Sequence, residues 1–214
     1  MKLITKQKSI EEIQQSLEKE DRIYIVGCGT CATMCLTGGK AEVLKMKDVL
    51  AEMGKTVVGW MVIPTSCDDL AAEALKQDAE TIGQADCILA MPCALGVQAI
   101  ARSTDKRVCP AQDTLFMGVE ESQGHFSEVC KQCGECVLAW TGGICPVVAC
   151  HKALLNGPCG GTNEGKCEVD PDKDCAWTLI YQRLEKLGRL DLMREYRSPK
   201  DFQAVVRPGK ITIK

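Results

Sequence analysis

Cys130-x2-Cys133-x2-Cys136 places three thiols two residues apart, close enough to cap one face of an iron–sulfur cubane. A bacterial ferredoxin run continues to Cys-Pro after three residues. Here Cys145-Pro146 arrives after eight. The fourth ligand therefore stays open among Cys145, Cys150, Cys159, Cys167 and Cys175. Structural zinc usually takes two pairs of close ligands, so a third close thiol is surplus to a zinc site and favours iron–sulfur chemistry for the triple. For the later cysteines, spaced five to nine apart, zinc and iron–sulfur stand nearly level, and only His125 and His151 could add nitrogen ligands. Eight cysteines from Cys130 to Cys175 could hold two four-cysteine sites.

A second group lies earlier. Gly27-Cys28-Gly29-Thr30-Cys31-Ala32-Thr33-Met34-Cys35 follows an apolar run directly, and Cys67 and Cys93 follow two more. In a parallel sheet the loops after the strands emerge at one edge, where open α/β folds bind ligands. Topology alone would thus gather Cys28, Cys31, Cys35, Cys67 and Cys93. A 4Fe-4S cluster needs four thiolates, so one of the five is spare, with Cys28 and Cys31 the candidates. The same segment spells G-x-G-x-x-A, a dinucleotide fingerprint. Its usual acidic companion at the end of the next strand is missing from Trp60-Met61-Val62-Ile63-Pro64. The glycines are read instead as letting the backbone approach a bulky cluster. Cys87 and Cys109 fall in or beside strands and read as core packing.

The elements that must position these thiols follow from periodicity. Ser9 and Glu12 form a capping box opening a helix to about Lys19. Strands are expected at Ile23–Val26, Thr56–Val62, Asp86–Met91 and Arg107–Pro110, with helices at Lys40–Met53, Asp68–Gln77 and Leu95–Ala101. Strand–helix alternation favours a parallel sheet with helices on its faces. The stretch from Cys130 to Cys175 is loop-like, rich in Gly and Cys, and offers little core of its own, so bound metal would have to stabilise it. Asp174 is the expected N-cap of a helix to Gly188. A short helix through Tyr196 and an extended tail follow. The expected fold class is α/β: a Rossmann-like parallel-sheet domain at 1–115, then a cysteine-rich, metal-stabilised region at 116–214 ending in helices and a tail.

Composition narrows the function. Fifteen of 214 residues are cysteine, an odd number. The opening MKLITKQKSIEEIQQSLEKE has no apolar core of a signal peptide, and no stretch approaches a membrane span. A cytoplasmic, reducing location is expected, which disfavours a disulfide framework. A net charge of −3 and an aromatic content of 4% give no reason to expect a nucleic-acid partner or membrane insertion. No paired carboxylate, histidine or nucleophile arrangement for acid–base catalysis stands out, so catalytic residues are not expected in this chain. His151 beside Cys150 reads as a neighbour of a ligand. Trp140, Trp177 and Tyr181 read as packing.

Longer spellings carry a resemblance. Trp140-Thr141-Gly142-Gly143-Ile144-Cys145-Pro146, Leu154-Leu155-Asn156-Gly157-Pro158-Cys159-Gly160-Gly161, Gly165-Lys166-Cys167-Glu168-Val169-Asp170-Pro171 and Cys175-Ala176-Trp177 resemble the small cysteine-rich subunit of acetogen-type methylenetetrahydrofolate reductase. Val26-Gly27-Cys28-Gly29-Thr30-Cys31-Ala32-Thr33 is similar to it as well, so the likeness spans about residues 5 to 205. The resemblance implies a non-catalytic redox subunit of an oxidoreductase complex. Its partner would be a flavoprotein, an FMN-carrying TIM barrel, that reduces 5,10-methylene-tetrahydrofolate to 5-methyl-tetrahydrofolate in the one-carbon, acetyl-CoA pathway. Electrons would come from ferredoxin or another redox subunit. Two 4Fe-4S clusters are expected: one on Cys28, Cys31, Cys35, Cys67 and Cys93, the other on Cys130, Cys133, Cys136 and one or more later cysteines. A third site, iron–sulfur or zinc, is left open. FMN is expected in the partner and not here. The rival readings are a zinc-stabilised scaffold of the same reductase and a stand-alone flavin- or nucleotide-binding α/β protein using the Gly27–Ala32 turn.

Overall fold

The computed structural model describes residues 2–205 and 207–211. The chain divides into two compact units, Met1–Ser127 and Glu128–Lys214. The first contains β1 (Lys2–Gln7), α1 (Ile10–Ser16), β2 (Arg22–Cys28), α2 (Cys31–Met34), α3 (Lys40–Glu52), β3 (Thr56–Ile63), α4 (Leu70–Gln77), α5 (Ala79–Gly83), β4 (Cys87–Ala90), α6 (Ala94–Arg102), β5 (Arg107–Pro110) and β6 (Gln112–Ser122). Strand β7 (His125–Glu128) ends at the division. The second unit has two α-helices among the described residues, α7 (Pro146–Ala149) and α8 (Ala176–Lys186), with 3-10 turns at Leu138–Trp140, Leu190–Arg194 and Phe202–Ala204.

The expected parallel sheet is present, in the order β3-β2-β4-β5, every pair parallel. Its central strand β2 is buried on both faces, as its unbroken apolar run requires. Ile23 and Ile25 point into one core with Val43, Met46 and Leu50 of α3. Tyr24 and Val26 point into the opposite core with Leu75, Ile82, Ile88 and Ile100. Each fully buried aliphatic side chain contributes about 1.5–3 kcal/mol, so both faces of the sheet add to the stability of this unit. Ser9 and Glu12 form the expected capping box, but α1 stops at Ser16, where Leu17 turns into the core. Helix α3 begins where Glu42 accepts the Gly39 N–H at 2.9 Å, and Gly54, at φ 77°, ends it.

Cys87 and Cys109 are fully buried in the first core. Cys87 hydrogen-bonds to Cys109, and this bond together with burial pushes the Cys87 thiol up. The Cys109 thiol in turn donates to the Ser16 carbonyl at 3.6 Å.

A second sheet, β1-β6-β7, was not expected from the sequence. Strand β1 pairs antiparallel with β6, across more than a hundred residues of chain. No local periodicity announces such a pairing.

The second unit has a small core: Cys175, Trp177, Ile180 and Leu184 are buried against Ile144, Leu154, Leu192 and Met193. Trp177 Nε1 donates to the Leu154 carbonyl at 3.0 Å. Cys175, not Asp174, occupies the N-cap of α8. Asp174 is drawn away by Lys166, at 2.7 Å. The segment between is built from turns, with left-handed backbone even at the non-glycine residues Gln132, Ala153 and Glu164. Among the described residues no helix is long and apolar enough to cross a membrane.

Candidate metal centres

In the first unit, Cys28 is the last residue of β2, Cys67 lies four residues past β3, and Cys93 lies three residues past β4. With β2 between β3 and β4, the crossovers depart in opposite directions, which opens a crevice at the carboxyl edge of the sheet. Three of the five expected thiols meet there. Burial pushes the Cys67 thiol up, and the nearby Cys93 and Cys28 push it further. Burial also opposes ionisation of Cys28. Hydrogen bonds from Thr30, whose Oγ1 lies 3.2 Å from the sulfur, and from Ser66 outweigh it, and the net shift is downward. Cys31, the first residue of the single-turn helix α2, and Cys35, its C-cap, are turned toward β1. The Leu3 N–H donates to Cys31 Sγ at 3.4 Å, and Cys35 Sγ reaches the Leu3 carbonyl at 3.9 Å.

The glycines of this turn have a reason in the chain's own packing. A Cβ on Gly27 would come within 2.6 Å of the Gly38 carbonyl oxygen, and one on Gly29 within 3.1 Å of the Pro64 carbonyl oxygen. The close approach is by the chain itself. The turn also leads into four residues of helix and not into a long helix whose N-terminal amides could cradle a pyrophosphate.

In the second unit, Cys130, Cys133, Cys136 and Cys145 line one cavity of about 660 Å³. The fourth ligand that the sequence left open thus has one geometrical favourite, since Cys145 alone of the five candidates shares this cavity. Cys145 is set by Pro146, which occupies the first turn of α7 and leaves Cys145 extended as its N-cap. The loop from Cys130 to Cys136 wraps around its own sulfurs. The Gln132 N–H donates to Cys130 Sγ at 3.3 Å, and Cys133 Sγ reaches the Glu135 carbonyl at 3.6 Å. The rest of the wall is largely apolar, with Val129, Leu138, Ile144 and Val148. Lys200 also lines it, a residue that sequence reasoning did not single out.

The remaining four, Cys150, Cys159, Cys167 and Cys175, line a second void of only about 20 Å³, with Trp177 as one wall. That is room for one water-sized body. The Gly161 N–H donates to Cys159 Sγ at 3.4 Å, and the Cys159 thiol meets a Glu168 carboxylate oxygen that Lys152 pairs with. Burial opposes ionisation of Cys175, but hydrogen bonds from Thr178, Trp177 and Thr162 outweigh it and hold its thiol below the usual value. His151 Nε2 lies 3.6 Å from the Asp170 carboxylate. The walls therefore sort eight cysteines into two sets of four. Among the described residues no three His, Cys, Asp or Glu side chains are arranged to hold a metal ion.

Residues 109–203 match the family model described as "Methylene-tetrahydrofolate reductase C terminal". The match supports a chain related to methylenetetrahydrofolate reductase. It takes in both four-cysteine sets of the second unit, Lys200, the end of β5, and strands β6 and β7. No curated protein and no solved structure matches the chain.

Proposed function

We propose that this chain is an iron–sulfur electron-transfer subunit of a methylenetetrahydrofolate reductase, supplying electrons to the FMN of a flavoprotein partner that reduces 5,10-methylene-tetrahydrofolate to 5-methyl-tetrahydrofolate. The observation that carries the reading is the shared cavity of Cys130, Cys133, Cys136 and Cys145. Four thiols around an apolar space far larger than one ion are a donor set suited to a 4Fe-4S cluster, which supplies one-electron storage at low potential. The chain's own part is to present the sulfurs and to direct N–H groups at them, as Gln132 does at Cys130.

A second cluster is assigned to Cys28, Cys67 and Cys93, with Cys31 or Cys35 as the fourth ligand. The sheet edge supplies three thiols from three loops, and Thr30 and Ser66 already favour the thiolate at Cys28. The small void bounded by Cys150, Cys159, Cys167 and Cys175 favours a single ion, and four thiolates suit zinc. That site would tie together the turns from Cys150 to Cys175 around the core of α8. Ferredoxin or another redox subunit is the proposed electron source.

Oxygen-free purification followed by iron, sulfide and zinc analysis tests the reading. A brown protein is expected, with iron and sulfide for two clusters and one zinc. Cys133→Ser should remove about half of the iron and leave the zinc, whereas Cys167→Ser should remove the zinc and leave the iron. A colourless protein holding zinc alone would replace the relay with a scaffold. Co-expression with the flavoprotein should give a complex that survives size-exclusion chromatography.

A further inference from the structure

We infer that Lys200 is the built-in counter-charge of the Cys130–Cys145 site and governs how readily that site accepts an electron. The inference rests on the reading that these four cysteines hold a cluster. Lys200 is one of the residues that line the cavity of the four thiols, and its Nζ is buried with no hydrogen-bond partner among the described residues. An ammonium taken out of water without a partner is strongly disfavoured, so the position makes sense if an anion belongs beside it.

The other charges at the cavity are already engaged. Lys131 pairs with Glu128 at 3.0 Å, and Glu135 accepts the Asp201 N–H at 3.0 Å. Arg197 Nε, among the described residues the other buried side-chain nitrogen without a hydrogen-bond partner, belongs to a guanidinium stacked 4.0 Å from the Trp140 ring centre and paired with Glu195. Lys200 has no such alternative. Its segment is also pinned: Asp201 is held by Glu135 and in turn accepts the Gln203 N–H at 2.8 Å. Gly134 makes room for Val205, where any side chain would collide.

Four thiolates leave a 4Fe-4S cluster negatively charged, and reduction adds one more negative charge. A nearby fixed cation stabilises the reduced form more than the oxidised form, and net charge is among the terms that set cluster potentials. Lysine offers this as a compact charge with three donors that can turn toward sulfur.

The test uses the full chain purified without oxygen, comparing wild type with Lys200→Gln and Lys200→Arg by iron analysis and an EPR-monitored redox titration with dithionite. The signal belonging to this site is the one that Cys133→Ser abolishes, and the other cluster serves as an internal control. Lys200→Gln should keep its iron while this signal becomes at least tenfold harder to reduce, a downward shift of about 59 mV or more for one electron. Lys200→Arg should stay near wild type, and the control signal should not move. Loss of this cluster in Lys200→Gln with retention in Lys200→Arg would also support a charge role. An unmoved potential in Lys200→Gln, or equal loss of the cluster in both variants, would overturn the inference. If wild type lacks iron that depends on Cys133, it is the cluster reading that fails, which the first measurement reveals on its own.

Discussion

Glu135 accepts the backbone N–H of Asp201 at 3.0 Å, fastening the end of the three-thiol loop to a segment sixty-six residues further along the chain. One such bond to a charged acceptor contributes about 1.5–3 kcal/mol. Glu135→Ala should free residues 201–205 locally without unfolding the unit. Amide hydrogen exchange read by mass spectrometry should quicken there at least tenfold. Glu135→Gln keeps an acceptor and should stay close to wild type.

Gly38 faces the Met91 carbonyl so closely that a Cβ would collide with backbone. Gly38→Ala should cost about 1–3 kcal/mol, the range for overpacking a filled site. Gly83→Ala is the control, since nothing lies within 4 Å of a Cβ there. Urea denaturation midpoints would show a clear drop for the first variant and little change for the second.

Metal removal should act unequally on the two units. The first has apolar cores on both faces of its parallel sheet, whereas the second has four buried hydrophobic residues in its core and long turn-built segments. Where a core is too small, bound metal supplies folding free energy. Chelation under reducing conditions should open residues 130–175 to proteolysis at least tenfold faster, while the fragment carrying residues 2–127 persists. Equal resistance before and after chelation would show that metal does not hold the second unit.

Asp86 gives a dependence on pH whose sign is fixed by its partners. The Arg22 N–H, at 2.8 Å, and then the Arg22 guanidinium hold this carboxyl below its usual range, and the Asp21 N–H adds to them. A depressed folded-state value means stability that is present above the ordinary aspartate pKa and lost as pH falls through the folded value. In Asp86→Asn the acid limb of the stability curve should therefore be shallower as pH falls below the ordinary aspartate range, about pH 4. Thermal melts across that range, wild type against variant, measure it.

The parallel sheet was legible because its signals are local: Ile23–Val26 is an unbroken apolar run, and Ser9 with Glu12 spells a cap. The convergence of Cys28, Cys67 and Cys93 was legible because a parallel sheet sends those loops to one edge. The antiparallel sheet was not, since β1 and β6 meet only through tertiary pairing. The contacts of Cys31 and Cys35 with Leu3 were hidden for the same cause, because β1 itself was unseen. Asp174 had the right chemistry for an N-cap, but Lys166 claimed it. Lys200 carried no signal at all: a single lysine after Pro199 resembles any solvated tail residue until the fold folds it under.

The two four-cysteine sets are consecutive along the chain and never interleave: Cys145 closes the first and Cys150 opens the second. During synthesis, the earlier set therefore leaves the ribosome ahead of the later one. If both sets take up metal as proposed, filling can follow chain order, and a thiol captured by the wrong set has only one border, five residues wide, at which to stray.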